Sequence, residues 1–368
     1  MTRRLVLVGG GHTHALLLHA FAENPLPDTC VTLLSNVEAA PYSGMLPGHV
    51  AGLYSYDEMH IDLPALCNAA GAEFIRSEVT GFDPESRVLR NAGGTSHDLS
   101  PDFLSFNVGS VPKRKGVPGA DEHAIPSKPV PDLLEGWRSL LARESPGKIA
   151  VIGGGAGGVE LTLAMQSQLP KGSEFIIVHA NETIMNGHND RVAKILTRLL
   201  AERGVELLLG RRCVEVTPGR IVMEDGAEVS ADTVFWVSQP SPPDWLSETG
   251  LALSEKGFLR VRPTLQTIDH PWIFAAGDVA AIEGKSLPRS GVYAVRMAKP
   301  LEANLRTSLA GESLKEYDPQ ERILSLIGTA DEKAVASWGP LSFRSSSMWA
   351  WKDRIDRKFM QQFEEART

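Results

Sequence analysis

Cysteine is scarce in this chain of 368 residues, and Cys30, Cys67 and Cys213 stand far apart. With no CxxC or other short pair, the pattern excludes zinc fingers, iron–sulfur clusters and a local redox disulfide. Three small hydrophobes in a reducing compartment account for them. Long apolar runs are missing too: none approaches the roughly 18 to 20 residues of a membrane span. Positive charge is in deficit, 37 Lys and Arg against 45 Asp and Glu for a formal net of -8. Without clustered cations the chain is not expected to bind nucleic acid. What is present is a globular composition, 42% hydrophobic and 22% charged, with length enough for two or three domains of about 100 to 150 residues each.

The N-terminus imitates a secretion signal, with Arg3 and Arg4, an apolar stretch and then Ala20-Phe21-Ala22. The imitation fails because three glycines and His12, His14 and His19 interrupt the stretch, and the same pattern returns deep inside the chain. A cytoplasmic location is expected.

That recurrence sets the architecture. Residues 5–14, LVLVGGGHTH, align with residues 149–158, IAVIGGGAGG, 144 positions further on. Each copy predicts a strand buried on both faces of a parallel sheet, a tight glycine turn and a helix whose free N–H groups and positive dipole end face a phosphate. The second copy is complete: Gly153 for the turn, Gly155 for close approach to a pyrophosphate, Gly158 for packing of helix on strand. The first keeps Gly9 and Gly11 but carries His14 at the third position, where its side chain must push the helix away or swing aside. The expected fold class is α/β: two Rossmann-like dinucleotide-binding domains plus a small C-terminal α+β interface domain. The carboxylate that should follow each cradle by about 20 residues, for the adenosine ribose, is absent. Ser35 and Asn36 end one strand and His179 the other, and these can still bond a ribose hydroxyl.

These residues resemble the pyridine nucleotide-disulfide oxidoreductase superfamily. Phe274-Ala-Ala-Gly-Asp278 looks like its flavin-binding strand end, where Asp278 takes the ribityl hydroxyls. Residues 104–110, LSFNVGS, resemble the crossover strand that usually ends Ala-Thr-Gly, with Asn107 and Val108 as replacements. Residues 231–239 resemble the return crossover, with Gln239 where glycine is usual. Within the superfamily, residues 41–48 (PYSGMLPG), Ile61–Pro64 and 155–160 (GAGGVE) look like a type II NADH dehydrogenase. Closer still, His12-Thr-His14, 42–48, 291–296 (GVYAVR), 324–329 (LSLIGT) and 351–360 (WKDRIDRKFM) resemble a dehydrogenase-like module found fused ahead of selenide, water dikinase; the kinase half is absent.

The resemblance implies an FAD-dependent NAD(P)H oxidoreductase, passing hydride from NADH or NADPH to flavin and electrons on to a small-molecule or protein acceptor. A non-catalytic or protein-partnered flavoprotein linked to selenium metabolism is the alternative. It implies an FAD site of Gly9, Gly11, His12, Ser35, Asn36, Ser43, Met45, Val79, Gly109, Gly277, Asp278 and Tyr293. A nicotinamide site of Gly153, Gly155, Gly158, His179 and Gln239 goes with it, and Glu160, Tyr42 and Arg296 are assigned to catalysis. Glu160 also has a plainer explanation, since the helix dipole alone favours an acid in a first turn. Tyr42 and Tyr293 either flank the isoalloxazine or belong to interdomain core. No metal is expected, because His12 and His14 diverge at i,i+2 and no further ligands cluster. The type II quinone motif places two glutamines where Val292 and Arg296 stand, which suits an anionic acceptor better than quinone. Sulfide:quinone oxidoreductase chemistry is not expected, since no cysteine follows Cys213.

Domain boundaries are expected at 1–112 rejoined by 258–305 for FAD, 113–257 for NAD(P) and 306–368 for the interface domain. Near the C-terminus Met348, Trp351, Ile355, Phe359 and Phe363 recur at helical spacing among Lys352, Arg354, Arg357 and Lys358. This amphipathic helix would lie on a membrane face, or pack on the hairpin of residues 321–343 or on a second copy, as in a homodimer. Asp353, Asp356, Glu364 and Glu365 dilute its charge and favour packing.

Overall fold

A Val/Ile/Leu run without polar alternation has to be covered on both faces, and each glycine-flanked run is the central strand of a five-stranded parallel sheet. The computed structural model describes residues 2–97 and 99–364; Glu365 lies outside them. The first sheet runs Ile273–Ala275, Phe103–Phe106, Arg3–Val8, Thr29–Ser35, Glu73–Arg76. The second runs Ala124–Pro126, Thr233–Trp236, Lys148–Ile152, Glu174–His179, Glu206–Leu209. Leu5, Leu7, Ile149 and Val151 are completely buried. The repeat extends beyond the cradles, because each fifth strand is followed by a three-stranded antiparallel meander, at Val79–His97 in one unit and Cys213–Ser230 in the other.

Two antiparallel crossover segments, Val111–Pro112 and Pro240–Ser241, join the units. The chain returns to the first unit directly after them. Residues 242–257, placed with the second unit from sequence, pack on the first: the Trp245 ring lies 6.0 Å from that of Phe106, and Leu253 bridges Leu259. The shift has a simple cause, since this stretch holds no strand run and carries no sequence mark of which sheet it covers.

The third unit is an antiparallel sheet of Ser325–Gly328, Ala334–Trp338 and Leu341–Ser345 followed by the helix Ser346–Gln361. Ser345 caps that helix, its Oγ accepting from Met348 N at 3.2 Å. The unit bridges the other two. Arg203 pairs with Asp331 at 3.0 Å on one side, and Tyr54 donates to Asp353 at 2.8 Å on the other.

The first part of the C-terminal helix is turned about one residue, or 100°, from its expected face, while Phe359 and Phe363 stay inward as expected. Trp351 and Ile355 point outward, 47% and 43% exposed, whereas Lys352 and Asp356 are 8% and 4% exposed. Two charges are tolerated inside because they satisfy each other. Lys352 Nζ donates to Asp356 Oδ2 at 2.5 Å and to Gly44 O at 2.6 Å, and Asp356 Oδ1 accepts from Tyr42 at 3.2 Å. Removing either partner would strand the other.

Candidate functional site

In open parallel sheets ligands bind beyond the carboxyl ends of the strands, and a cavity of about 380 Å³ opens at that edge of the first sheet. Its walls include the ends of three neighbouring strands: Val8 to Gly11, Leu34 to Asn36, and Asn107 to Ser110. Gly9 adopts φ +94°, and a Cβ there would lie 2.5 Å from Asn107 O, so the turn requires glycine. The helix His12–Glu23 begins straight after Gly11, giving the cavity free N–H groups suited to a pyrophosphate. Asn107 ties this corner together: its Nδ2 donates to Ala276 O at 2.8 Å, and its Oδ1 accepts from His14 N at 3.3 Å.

His14 replaces the third glycine without prising the helix off. Its Nδ1 donates to Gly9 O at 2.8 Å, and its Nε2 accepts from Ser105 Oγ at 2.8 Å. Burial pulls the ring down to about 4 despite the bond to Gly9, so the neutral ring is structural.

Asp278 reaches the cavity from the 3-10 turn after the outermost strand. Its Oδ2 accepts from Ser110 Oγ at 2.8 Å and from Lys128 Nζ at 2.9 Å. Burial alone would raise this carboxyl, but Lys128, Ser110 and Arg289 outweigh it and hold it below the usual carboxylate range. The second unit supplies part of the wall, with Lys128, Pro129 and Pro131 among the lining residues, and the returning segment adds Trp245.

The second cradle is open at its middle glycine. Gly153 takes φ +131° with its would-be Cβ 2.2 Å from Val237 O, and at Gly158 a Cβ would stand 1.9 Å from Gly153 O. Among the described residues nothing lies within 4 Å of a Cβ on Gly155, the open space a pyrophosphate needs. His179 closes the turn, its Nδ1 accepting from Gly154 N at 3.1 Å and its Nε2 donating to Asn186 Oδ1 at 2.7 Å. Gly154 N–H can only donate, so Nδ1 carries no proton in this arrangement.

Glu160 lies in the first turns of the second cradle helix, Ala156–Gln168, and faces the third unit. Its Oε1 accepts from Gly328 N at 2.7 Å. Burial raises its carboxyl to about 7, against the pull of Lys352 and the Gly328 amide, so it can change protonation near neutrality. Tyr42 joins the same group through Asp356 and stacks on Phe359 at 4.4 Å, with His12 edge-on to Tyr42 at 5.4 Å. Burial, with Asp356 beside it, pushes the Tyr42 hydroxyl upward, so it stays a donor.

Of the residues singled out from sequence, Gly9, Gly11, His12, Ser35, Asn36, Ser43, Val79, Gly109 and Asp278 line the cavity together. Met45 lies in the core at 1% exposure, and the Gly277 amide donates to Met297 Sδ at 3.1 Å. Tyr293 stands away from the lining, buried and donating to Gln320 O at 3.1 Å. Arg296 turns to Gln320 Oε1. Gln239 is exposed and holds the crossover through its carbonyl, which accepts from Lys113 N at 2.9 Å. Sequence reasoning missed Lys128 and Ser110, and read Asn107 only as a departure. Lys352 and Asp356 were assigned to the wet face of their helix, and no periodicity could have placed them inside.

The family model for pyridine nucleotide-disulphide oxidoreductases matches residues 3–298. NADH dehydrogenase-like protein YutJ of Bacillus subtilis is 22% identical over 365 residues, covering 95% of this chain and 99% of that protein. The sulfide:quinone oxidoreductase of Aquifex aeolicus has a similar fold, with TM-score 0.79, 18% identity, and coverage of 99% of this chain and 92% of that one. NDH2 of Plasmodium falciparum, solved with NADH, gives TM-score 0.76 at 14% identity over 100% and 98%.

Proposed function

The chain belongs to the pyridine nucleotide-disulphide oxidoreductase family, and from that premise we propose that it is an FAD-dependent, NADH dehydrogenase-like oxidoreductase. FAD occupies the enclosed first cradle, and NADH or NADPH visits the open second. The observation that carries this reading is the pair of glycine cradles at the carboxyl ends of two parallel sheets that share the order of four of their five strands, one walled in and one open at its middle glycine. The wall fits a flavin dinucleotide: amides at a helix start, a buried carboxylate for hydroxyls, and a volume within the range of small-ligand sites. Bound flavin supplies the redox chemistry, taking hydride from reduced nicotinamide and yielding electrons to an acceptor.

The residues bind, orient and hold protons. Helix starts at Gly11 and Gly155 would face the two pyrophosphates, Asp278 would accept hydrogen bonds from hydroxyls, and Glu160 holds or releases a proton at its carboxyl beside the nicotinamide cradle. The acceptor is a small molecule or a redox protein. Val292 and Arg296 replace the glutamines that would hold quinone carbonyls. Thiol chemistry is disfavoured, since burial pushes Cys67 up to about 12 and Cys213 to about 11, leaving no thiolate near neutrality. Cys30 opens its strand at the end opposite the ligand edge. No helix among the described residues is long and apolar enough to cross a membrane. The outward Trp338, Leu341, Phe343, Trp351 and Ile355 make the third unit the place where a membrane face or a second copy would dock.

Anaerobic mixing of the flavin-loaded chain with NADH and with NADPH tests the proposal. Bleaching of the flavin band with at least one of them is expected. A flavin that stays oxidised with both would overturn the dehydrogenase reading in favour of a non-catalytic flavoprotein.

A further inference from the structure

Lys128 does not belong to the sheet whose cavity it enters. It follows the edge strand Ala124–Pro126 of the second sheet, and the neighbouring Ser127 N anchors the segment by donating to Trp236 O at 3.0 Å. From there its ammonium meets Asp278 Oδ2 at 2.9 Å and Ser110 Oγ at 3.2 Å. The Asp278 side chain is 13% exposed, and that of Lys128 is 41% exposed. Among the described residues that line the cavity, Lys128 is the one Lys or Arg, against the carboxylates of Asp278 and Glu78. Glu78 is exposed to solvent and screened by it. Asp278 is not screened in that way, and a dinucleotide carrying a pyrophosphate has to approach it. An ammonium has three protons; two are engaged here, and the third is available to a ligand in the cavity.

We propose that Lys128 is a charge-setting residue of the flavin site, delivered by the second dinucleotide-binding unit. It offsets Asp278 in the wall and favours the reduced, more electron-rich form of bound flavin over the oxidised one. The inference rests on the FAD reading above. A positive charge close to a flavin stabilises whichever redox form is more negative, so Lys128 acts on the two forms unequally. A purely structural ion pair would act on them equally. Because the charge arrives from the other unit, the electron affinity of the flavin depends on how that unit is docked.

The test uses the full chain in wild type, Lys128→Met, Lys128→Gln and Lys128→Arg. Each is stripped of flavin, titrated with FAD by fluorescence quenching, then reloaded for a dye-equilibrated redox titration. Lys128→Met is expected to bind oxidised FAD about tenfold more weakly, the scale of one lost charge-assisted hydrogen bond. Reduced FAD is expected to lose about tenfold more, which is a midpoint lower by about 30 mV for a two-electron couple. Lys128→Arg should stay within about threefold of wild type on both counts. Lys128→Gln, which can still donate to Asp278 without the charge, should match Lys128→Met in potential and carries the test if the methionine variant fails to fold. An unchanged midpoint in Lys128→Met and Lys128→Gln, whatever happens to affinity, overturns the proposal and leaves the flavin assignment standing. Wild type that takes up no FAD overturns the flavin assignment itself, and is seen before any variant is compared.

Discussion

The two glycine cradles start from the same pattern, an apolar run and three glycines, and end as different sites. At Gly158 the helix sits so close that a Cβ would stand 1.9 Å from Gly153 O. At the matching place in the first cradle His14 donates to Gly9 O at 2.8 Å, so the carbonyl that glycine leaves uncrowded is instead satisfied by a side chain. The third glycine is thus a requirement of the closest helix packing, and a residue able to pair with the turn carbonyl can stand in for it. The other difference is enclosure. Lys128, Pro129 and Trp245 close over the first cradle, whereas the space around Gly155 is open. An enclosed site retains its ligand and an open one exchanges it, which is what a resident cofactor and a diffusing co-substrate require.

The largest expected effects come from exchanging the fates of the two cradles. Gly9→Ala and Gly153→Ala each force a side chain into positive φ against a backbone carbonyl, at a cost of about 3 kcal/mol or more, roughly 150-fold in ligand affinity. Gly9→Ala should purify without flavin. Gly153→Ala should stay yellow and lose NADH-dependent bleaching by more than about 100-fold at fixed NADH. Flavin retained by the first, or lost by the second, would break the assignment of the cradles.

His14→Gly makes the first cradle spell like the second, yet it should cost about 3 kcal/mol in urea unfolding, because Gly9 O and Ser105 lose their partner. The pH dependence is a sharper signature. The folded chain holds His14 at about 4, below its ordinary 6.5, so the unfolded chain takes up a proton that the folded one refuses. Stability from this site is complete above about pH 6.5 and falls by up to about 3 kcal/mol as the pH drops to about 4. Melts at pH 7.5, 5.5 and 4.5 should show that slope reduced in His14→Gly. An unchanged slope would assign it to other groups.

His179→Asp gives the second cradle the ribose carboxylate it lacks. Wild type is expected to discriminate NADH from NADPH by less than about 100-fold, and the variant by more, about 2.7 kcal/mol; steady-state kcat/KM for both nucleotides decides. A wild type already above that ratio would show that another residue selects.

Glu160 has an apolar counterpart, Leu16, 144 residues earlier. With its carboxyl at about 7, the rate of flavin reduction by NADH should change across neutral pH in wild type. In Glu160→Gln it should be flat and about tenfold lower above pH 7, the scale of one charge-assisted bond. A shared inflection would exclude Glu160 as its source. Arg296→Gln, outside both cradles and bonded to Gln320, restores one of the two glutamines while Val292 remains, and gives the smallest expected effect. It should shift stability by less than about 0.5 kcal/mol, with ubiquinone-analogue turnover changed less than about twofold. A large gain of quinone turnover would instead place Arg296 in the acceptor site.

Much of this molecule follows from the order of residues alone. The paired apolar runs, their glycine turns and the internal repeat specify two parallel sheets with ligand edges, because burial on both faces and the free amides of a helix start are local consequences of composition. Asp278 was legible through the resemblance of residues 274–278 to a flavin-binding strand end. Other features needed the folded chain. Lys128 and Asp278 are 150 residues apart, and no spacing rule connects them. The C-terminal helix shows most clearly why: its periodicity chose Trp351 and Ile355 for the inside, but Lys352 and Asp356 went in, since Gly44 O and Tyr42 offered partners that water would otherwise have supplied. Hydrophobic pattern determines a face only when nothing outside the helix bids for the polar one, and what lies outside is a property of the tertiary structure.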